Sequence, residues 1–246
     1  MRRFLVSFAS AALLGVVPSL ASDPASSDQI AVSGNSYACD EFEKLVVNPA
    51  VLDAELFAEA PIPTADFPKF RAVVFAERDE IAMRAGSQWT PEDLEAVENY
   101  VKSGGTLIFC RYGISTVLPD RSLGEWARVL GFSSYPDAKG AAEVELTSEG
   151  VAWLAKVSGK NSPPVEAPWV AGATPVAEGI TSAEELAMLD SGDGSGAKPV
   201  ITLNKIGKGR VFFLGTSLNA LSRNQAKPEE WEGLASFLRA ALTSSY

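Results

Sequence analysis

The chain has 246 residues, 46% of them apolar, with 21 basic residues against 31 acidic ones, a formal net charge of −10, and no histidine. The acidity disfavours nucleic-acid and anionic-membrane partners, because phosphate binding rewards a basic face and the basic residues here cluster only in pairs such as Lys208 and Arg210. Without histidine the chain lacks the side chain that most readily moves protons near neutral pH, activates most Ser and Cys nucleophiles and ligates most catalytic zinc.

The N-terminus reads as an export signal. Arg2 and Arg3 precede an apolar run from Phe4 to Val17, and Ser19 and Ala21 supply the small residues of a cleavage site after Ala21. The run is shorter than the roughly 20 residues a bilayer span needs, and no later segment is long and apolar enough to span. The expectation is an exported chain, periplasmic or secreted, with residues 1–21 removed, 22–28 as a polar linker and 29–246 as one α/β domain. Cleavage takes away two basic residues and no acidic ones, which moves the formal charge to −12.

Gln29 to Ser33 is the first strand candidate. From Cys39 to Val47, Phe42, Leu45 and Val46 recur at helical spacing. Ala54 to Ala58 alternates weakly as a second strand, and the proline-rich stretch from Pro61 to Pro68 reads as loop. The clearest unit follows. Residues Arg71 to Ala76 form a continuous apolar run, the pattern of a strand covered on both faces. Thr90, Pro91 and Asp93 then mark a helix start with an N-cap, a proline at the first turn and an acid three residues after the cap. Leu94, Val97, Tyr100 and Val101 share one stripe of that helix, Ser103-Gly104-Gly105 ends it, and Thr106 to Cys110 is the next buried strand. Strand, crossover helix and strand predict a right-handed βαβ unit and a parallel sheet.

Ser122 to Glu125 predicts a second capped helix carrying Trp126, Val129 and Leu130, with Gly131 closing it. Val144 to Leu146 reads as a strand, with Thr147 capping a helix through Val151, Leu154 and Ala155. Residues 158–182, rich in Pro, Gly and Ser, define no element. Glu185 to Leu189 and Val200 to Leu203 read as strands. The segment Lys205-Ile-Gly-Lys-Gly-Arg210 reads as a tight turn into the strand Val211 to Leu214, an antiparallel hairpin. Gly207-Lys208-Gly209 is no phosphate loop, because it joins strand to strand and lacks the P-loop pattern. A last helix from Pro228 carries Trp231, Leu234, Phe237, Leu238 and Leu242 on one side. The fold expected is an open, mostly parallel, flavodoxin-like sheet with helices on both faces and a C-terminal antiparallel hairpin.

Three stretches together carry a resemblance: Arg71 to Ala76, the segment from Thr90 through Tyr100-Val-Lys-Ser-Gly-Gly-Thr-Leu-Ile-Phe109, and Ile206-Gly-Lys-Gly-Arg-Val-Phe-Phe-Leu-Gly-Thr-Ser217. The chain resembles the class I glutamine amidotransferase-like superfamily over roughly residues 29–242. Within it the likeness is to non-catalytic branches, the ThuA-like domains and the trimerisation domain of family-42 β-galactosidases. In catalytic members the nucleophilic Cys sits on a sharp strand-to-helix turn as Gly-x-Cys-x-Gly. Here Phe109-Cys110-Arg111-Tyr112-Gly113 places Cys110 near that position, with Gly at +3 instead of +2. The resemblance implies a domain for binding or assembly, tied to carbohydrate processing and self-associating as a homo-oligomer.

Cys110 has three readings: an inert buried thiol, a disulfide partner of Cys39 across one edge of the sheet, or a nucleophile activated by Arg111 and a helix start, with Glu77 beside it, in an unusual hydrolase. The Glu77-Arg78-Asp79-Glu80 loop is read either as a solvated charged loop or, together with Arg111, Tyr112, Ser217 and Asn219, as a polar crevice at the strand ends. Such a crevice suits a carbohydrate or another hydroxylated small ligand; Trp89 and Trp169, in or beside loops, read either as stacking faces for a sugar ring or as cover for the core. No cofactor and no metal site is expected. Asp190 and Asp193 among glycines fall short of a calcium loop, which needs more acids at set spacing.

Overall fold

The computed structural model describes residues 28–138, 143–158, 174–192, 194–223 and 228–244. The export signal and, apart from Asp28, the linker lie outside the described residues, as do Trp169 and Asp193.

The first half of the chain lays down a parallel sheet. Strand β1 (Ile30–Gly34) leads into helix α1 (Ser36–Phe42), a π turn (Glu43–Val47) and the short α2 (Asn48–Ala50), and the chain returns as β2 (Ala54–Ala58). A 3₁₀ turn (Thr64–Lys69) sits inside the proline-rich stretch expected to be loop, anchored by Phe67, which is fully buried. Then come β3 (Ala72–Phe75), α3 (Glu80–Arg84), α4 (Pro91–Lys102) and β4 (Thr106–Cys110). The α4 start is as the sequence predicts: the Thr90 N–H donates to the Asp93 carboxylate at 2.8 Å. β3 and β4 pair in parallel.

Beyond β4 the chain makes a 3₁₀ turn (Arg111–Gly113) into α5 (Ile114–Val117), then a second 3₁₀ turn (Gly124–Trp126) into α6 (Ala127–Leu130). Ser122 does not cap this helix; it bridges to Ser134, and the helix begins later and is shorter than its apolar stripe suggests. Gly131 ends it in the left-handed region at φ 83°, where its N–H donates to Ala127 O. The short strands β5 (Phe132–Ser134), β6 (Asp137–Ala138) and β7 (Glu143–Leu146) precede α7 (Ser148–Ser158), which Thr147 caps through its hydroxyl to the Gly150 N–H. β8 (Thr174–Pro175) and β9 (Glu178–Ile180) pair with β6 and β5 as two small antiparallel ribbons. β10 (Glu184–Asp190), β11 (Lys198–Ile206), β12 (Gly209–Leu214), α8 (Leu218–Arg223) and α9 (Pro228–Thr243) complete the chain.

The main sheet has the order β2-β1-β3-β4-β12-β11-β10-β7. Its first five strands pair in parallel and the remaining three pairings are antiparallel. The hairpin turns tightly, with Ile206 opposite Gly209. Both faces are covered, which is why the central strands read as unbroken apolar runs. Val74, Ile108 and Phe212 point into one core with α1, α7 and α9. Val73, Phe109 and Phe213 point into the other, with α4, α5 and α6. No helix among the described residues is long and apolar enough to cross a membrane.

Of the three readings of Cys110, the disulfide is not formed: Cys39 and Cys110 are both free and buried. Cys39 lies on α1 above β1, where its thiol faces the Val32 and Gly34 carbonyls, and β3 stands between β1 and β4. Two strand spacings, about 10 Å, exceed the roughly 7 Å Cα separation a disulfide tolerates.

Candidate functional site

The chain runs from β1 to β2 on one side and then crosses to β3 on the other, so the strand order reverses beside β1. Open α/β sheets bind ligands in the crevice at the carboxyl ends of their strands at such a reversal. A cavity of about 400 Å³ lies there. Asn35 follows β1, Glu59 follows β2, Glu77 to Asp79 follow β3, Arg111 follows β4, and Asn219 comes from α8; all line it.

Arg111 organises one wall. It adopts φ +48°, and it is one of three non-glycine residues with positive φ among those described; Glu59, at φ +60° and in the same cavity, is another. This conformation is rare for a side chain bearing a Cβ, and its appearance at a strand end marks a sharp turn into a helix. The turn lets Gly113 pass under β3, where an added Cβ would stand 2.3 Å from the Phe75 carbonyl oxygen. The sharp turn that the resemblance assigns to the nucleophile is therefore occupied by Arg111, with Gly113 two residues on, and Cys110 is the last residue of the strand before it.

The Arg111 guanidinium packs 4.8 Å from the Tyr112 ring centroid on one side and reaches Glu77 Oε2 at 3.5 Å on the other. Glu77 is 5% exposed and is further held by the Ser217 hydroxyl, which donates to Oε2 at 2.7 Å, and by the Arg78 N–H, which donates to Oε1 at 3.1 Å. Ser217 also accepts the Ala220 N–H at the start of α8, so its oxygen is committed twice. These partners tie the Glu77 carboxylate into the wall of the cavity. The Cys110 thiol is buried, and both burial and the Glu77 charge push its pKa up. Cys39 is pushed up to about 12 by burial and by the charges of Asp79 and Asp40. Neither thiol is poised as a nucleophile.

Of the residues the sequence grouped at the crevice, Glu77, Arg78, Arg111 and Asn219 line the cavity, and Ser217 stands behind Glu77. Tyr112 does not line it; its hydroxyl donates to Asp137, which also pairs with Arg121, and its ring supports Arg111. Trp89 is not a ligand platform. It is buried at 9% exposure, stacked on Trp126 and edge-on to Phe67, Phe75 and Phe109.

Sequence reasoning missed Asn35, Tyr37 and Glu59; Asp79, in the charged loop that the sequence placed at the crevice, lines the cavity. Asn35 caps α1 through the Ala38 N–H and donates to the Arg78 carbonyl, tying the end of β1 to the loop after β3. The Ser36 hydroxyl donates to Glu59 at 2.6 Å. Asp79 caps α3, accepting the Ile81 and Ala82 N–H groups, while its own N–H donates to Thr116. An Asp two residues before an apolar Ile-Ala pair was a legible cap signal. Among the described residues no group of three or more His, Cys, Asp or Glu side chains is placed to hold a metal ion.

In sequence, no family model and no curated protein matches the chain. Solved structures do match in fold. Cytoplasmic protein STM1381 from Salmonella typhimurium LT2 superposes with a TM-score of 0.57 at 13% identity, covering 87% of this chain and 98% of that one. A ThuA-like protein from Bacteroides uniformis ATCC 8492 gives 0.51 at 14% identity over 88% and 92%. The exo-β-1,4-mannosidase Op5Man5 from an Opitutaceae bacterium, strain TAV5, gives 0.51 at 14%, covering 88% of this chain but 36% of the mannosidase. The chain shares the α/β fold of these proteins.

Proposed function

We propose that the protein is a non-catalytic domain of the amidotransferase-like type that binds a small ligand or assembles with other chains. One observation carries this reading: Arg111 fills the sharp turn after β4 and is paired with Glu77, while the thiols of Cys110 and Cys39 are both buried with raised pKa. Acyl-transfer chemistry needs an exposed nucleophile and a base of matched pKa, and this wall offers an ion pair in their place. The signal-like N-terminus supports export to the periplasm or secretion. The resemblance to domains of carbohydrate enzymes, together with a mannosidase among the fold neighbours, supports a role beside carbohydrate processing and self-association as a homo-oligomer.

Thiol labelling with and without reductant tests the reading. Neither Cys39 nor Cys110 reacts until the chain is unfolded, and reductant makes no difference. A native thiol that labels within seconds near neutral pH, together with turnover of ester or amide substrates, returns the chain to the hydrolase alternative based on Cys110 and Glu77. Sizing chromatography tests assembly separately: a monomer at high concentration removes that role and leaves binding.

A further inference from the structure

The cavity at the strand ends carries more negative charge than its own cations answer. Glu59, Glu77, Asp79 and Glu80 line it against Arg78 and Arg111. Arg111 reaches Glu77 at 3.5 Å, and Glu80 is shared at 3.9 Å between Arg78 and Arg84, which stands outside the cavity. Among the described residues no lysine or arginine forms an ion pair with Glu59 or Asp79. These two acids are also neighbours. The Glu59 backbone N–H favours the charged form of Asp79, whereas the burial of Asp79 and the Glu59 charge oppose it. Asp79 is the covered member, 1% exposed and held through Oδ1 by the Ile81 and Ala82 N–H groups. Glu59 is the open one. It is exposed on the cavity wall, and the Ser36 hydroxyl donates to its Oε1 at 2.6 Å.

We propose that the cavity binds a small organic ammonium compound, whose N–H groups donate to the Glu59 carboxylate with the Asp79 charge behind it. The inference rests on the reading of this crevice as a binding site and assigns its ligand class. Charge selects the class. A carboxylate or phosphate would meet two unanswered acids, and an uncharged ligand would leave them unanswered, whereas one ammonium close to a like-charged pair relieves the repulsion between them. Shape separates an ammonium from a metal ion. A hard metal ion gathers six or more oxygen ligands at short range, and no group of three or more acids among the described residues is placed to do so. An ammonium needs one carboxylate and directs its carbon skeleton elsewhere. The cavity provides for that skeleton: its volume of about 400 Å³ is near the lower end of small-molecule sites. Tyr37 and Ile81, which line it at 70% and 50% exposure, give an aromatic face that attracts a cation and an apolar flank for its methylene groups.

The test is calorimetry or ligand-observed NMR on the full chain with probes matched in size and different in charge. One set is 5-aminopentan-1-ol, pentane-1,5-diol and 5-hydroxypentanoate, and the other is glucosamine and glucose. At least one of the two amines binds, at least about tenfold more tightly than its uncharged counterpart. Glu59→Gln weakens that amine at least about tenfold. Glu55→Gln, which removes an exposed acid on the same strand outside the cavity, leaves the affinity unchanged and so separates the site from general attraction to an acidic chain. Tyr37→Ala weakens the amine about threefold and gives a second readout should the Glu59 variant fail to fold. Binding of neither amine, equal weakening by Glu55→Gln, or displacement of the amine by an equal concentration of Ca²⁺ overturns the assignment. Tighter binding of the diol, glucose or 5-hydroxypentanoate also overturns it but keeps the crevice as a binding site, so a wrong ligand class and a wrong reading of the crevice give different results.

Discussion

The two ends of the central sheet use arginine in opposite ways. At the end where the parallel strands begin, Arg210 is 8% exposed and its guanidinium is consumed inside the protein, donating to Thr106 Oγ1, the Ala241 and Ser244 carbonyls and Ser244 Oγ. Arg71 joins it by donating to the Leu242 carbonyl. Together they satisfy the last carbonyls of α9, where the helix dipole is negative. At the opposite end Arg111, itself at positive φ, pairs with Glu77 on the wall of a cavity that also holds Glu59, the other lining residue at positive φ, and a buried Asp79 carboxylate oxygen with no hydrogen-bond partner among the described residues. One end closes the fold and the other holds polar groups open. Local strain and unfinished hydrogen bonding gather where ligands are expected, because elsewhere they would only cost stability.

Substitutions should separate the two ends by what they cost. Arg210→Ala has the largest expected effect, a loss of about 3 kcal/mol seen as a drop of roughly 6–12 °C in Tm; a drop under 2 °C would erase the contrast. Gly113→Ala drives a methyl group into the Phe75 carbonyl and should cost about 2 kcal/mol in chemical denaturation, with a distorted cavity. Arg111→Ala leaves Glu77 buried with fewer partners. Because the arginine side chain is 24% exposed, water screens part of the loss, and about 1 kcal/mol is expected.

Asp79→Asn should be the mildest. Asn caps a helix as well as Asp, and burial raises the Asp79 pKa above its ordinary 3.8. A carboxyl with a raised folded pKa holds its proton more firmly when folded. Its contribution is therefore best in acid and is lost as pH rises through the folded value. The variant should gain relative to the parent as pH rises above the ordinary Asp value of about 4, read from denaturation midpoints taken at rising pH. The groups sharing this environment are Glu59, Glu77, Arg78, Glu80 and Arg111 in the cavity and Cys39 behind it. A variant that loses ground as pH rises would mean that these partners, and not burial, control the group.

Elements with local signals were legible in the sequence. The buried runs of β3, β4 and β12 and the Thr90 to Asp93 start of α4 needed only periodicity and cap chemistry. The π turn at Glu43–Val47 carries the same apolar spacing as an α-helix, so nothing local distinguishes it. The small ribbons β5–β9 and β6–β8 join segments far apart in sequence. The positive φ of Arg111 in the turn after β4 was not legible, because a backbone φ is not written in residue identity; Gly113 was a cue to a close approach, since the nearby Phe75 carbonyl admits no side chain there. The cavity was half legible: the charged loop after β3 could be placed at a strand end, whereas Asn35, Tyr37 and Glu59 reach it only through the order β2-β1-β3. The incomplete hydrogen bonding of Asp79 depends on all of these segments together.

The position of β12 has a kinetic consequence. It lies between β4 and β11 at the centre of the sheet, yet the Arg210 side chain bonds Thr106 across 104 residues of chain. Until β12 docks, the β4 edge has no neighbour on that side, and closing so long a loop slows the search for native pairing. During synthesis the parallel half must wait, with one edge unpaired, for the C-terminal third to emerge. A folding rate limited by β12 docking, and aggregation of chains truncated before residue 209, are the outcomes this topology sets.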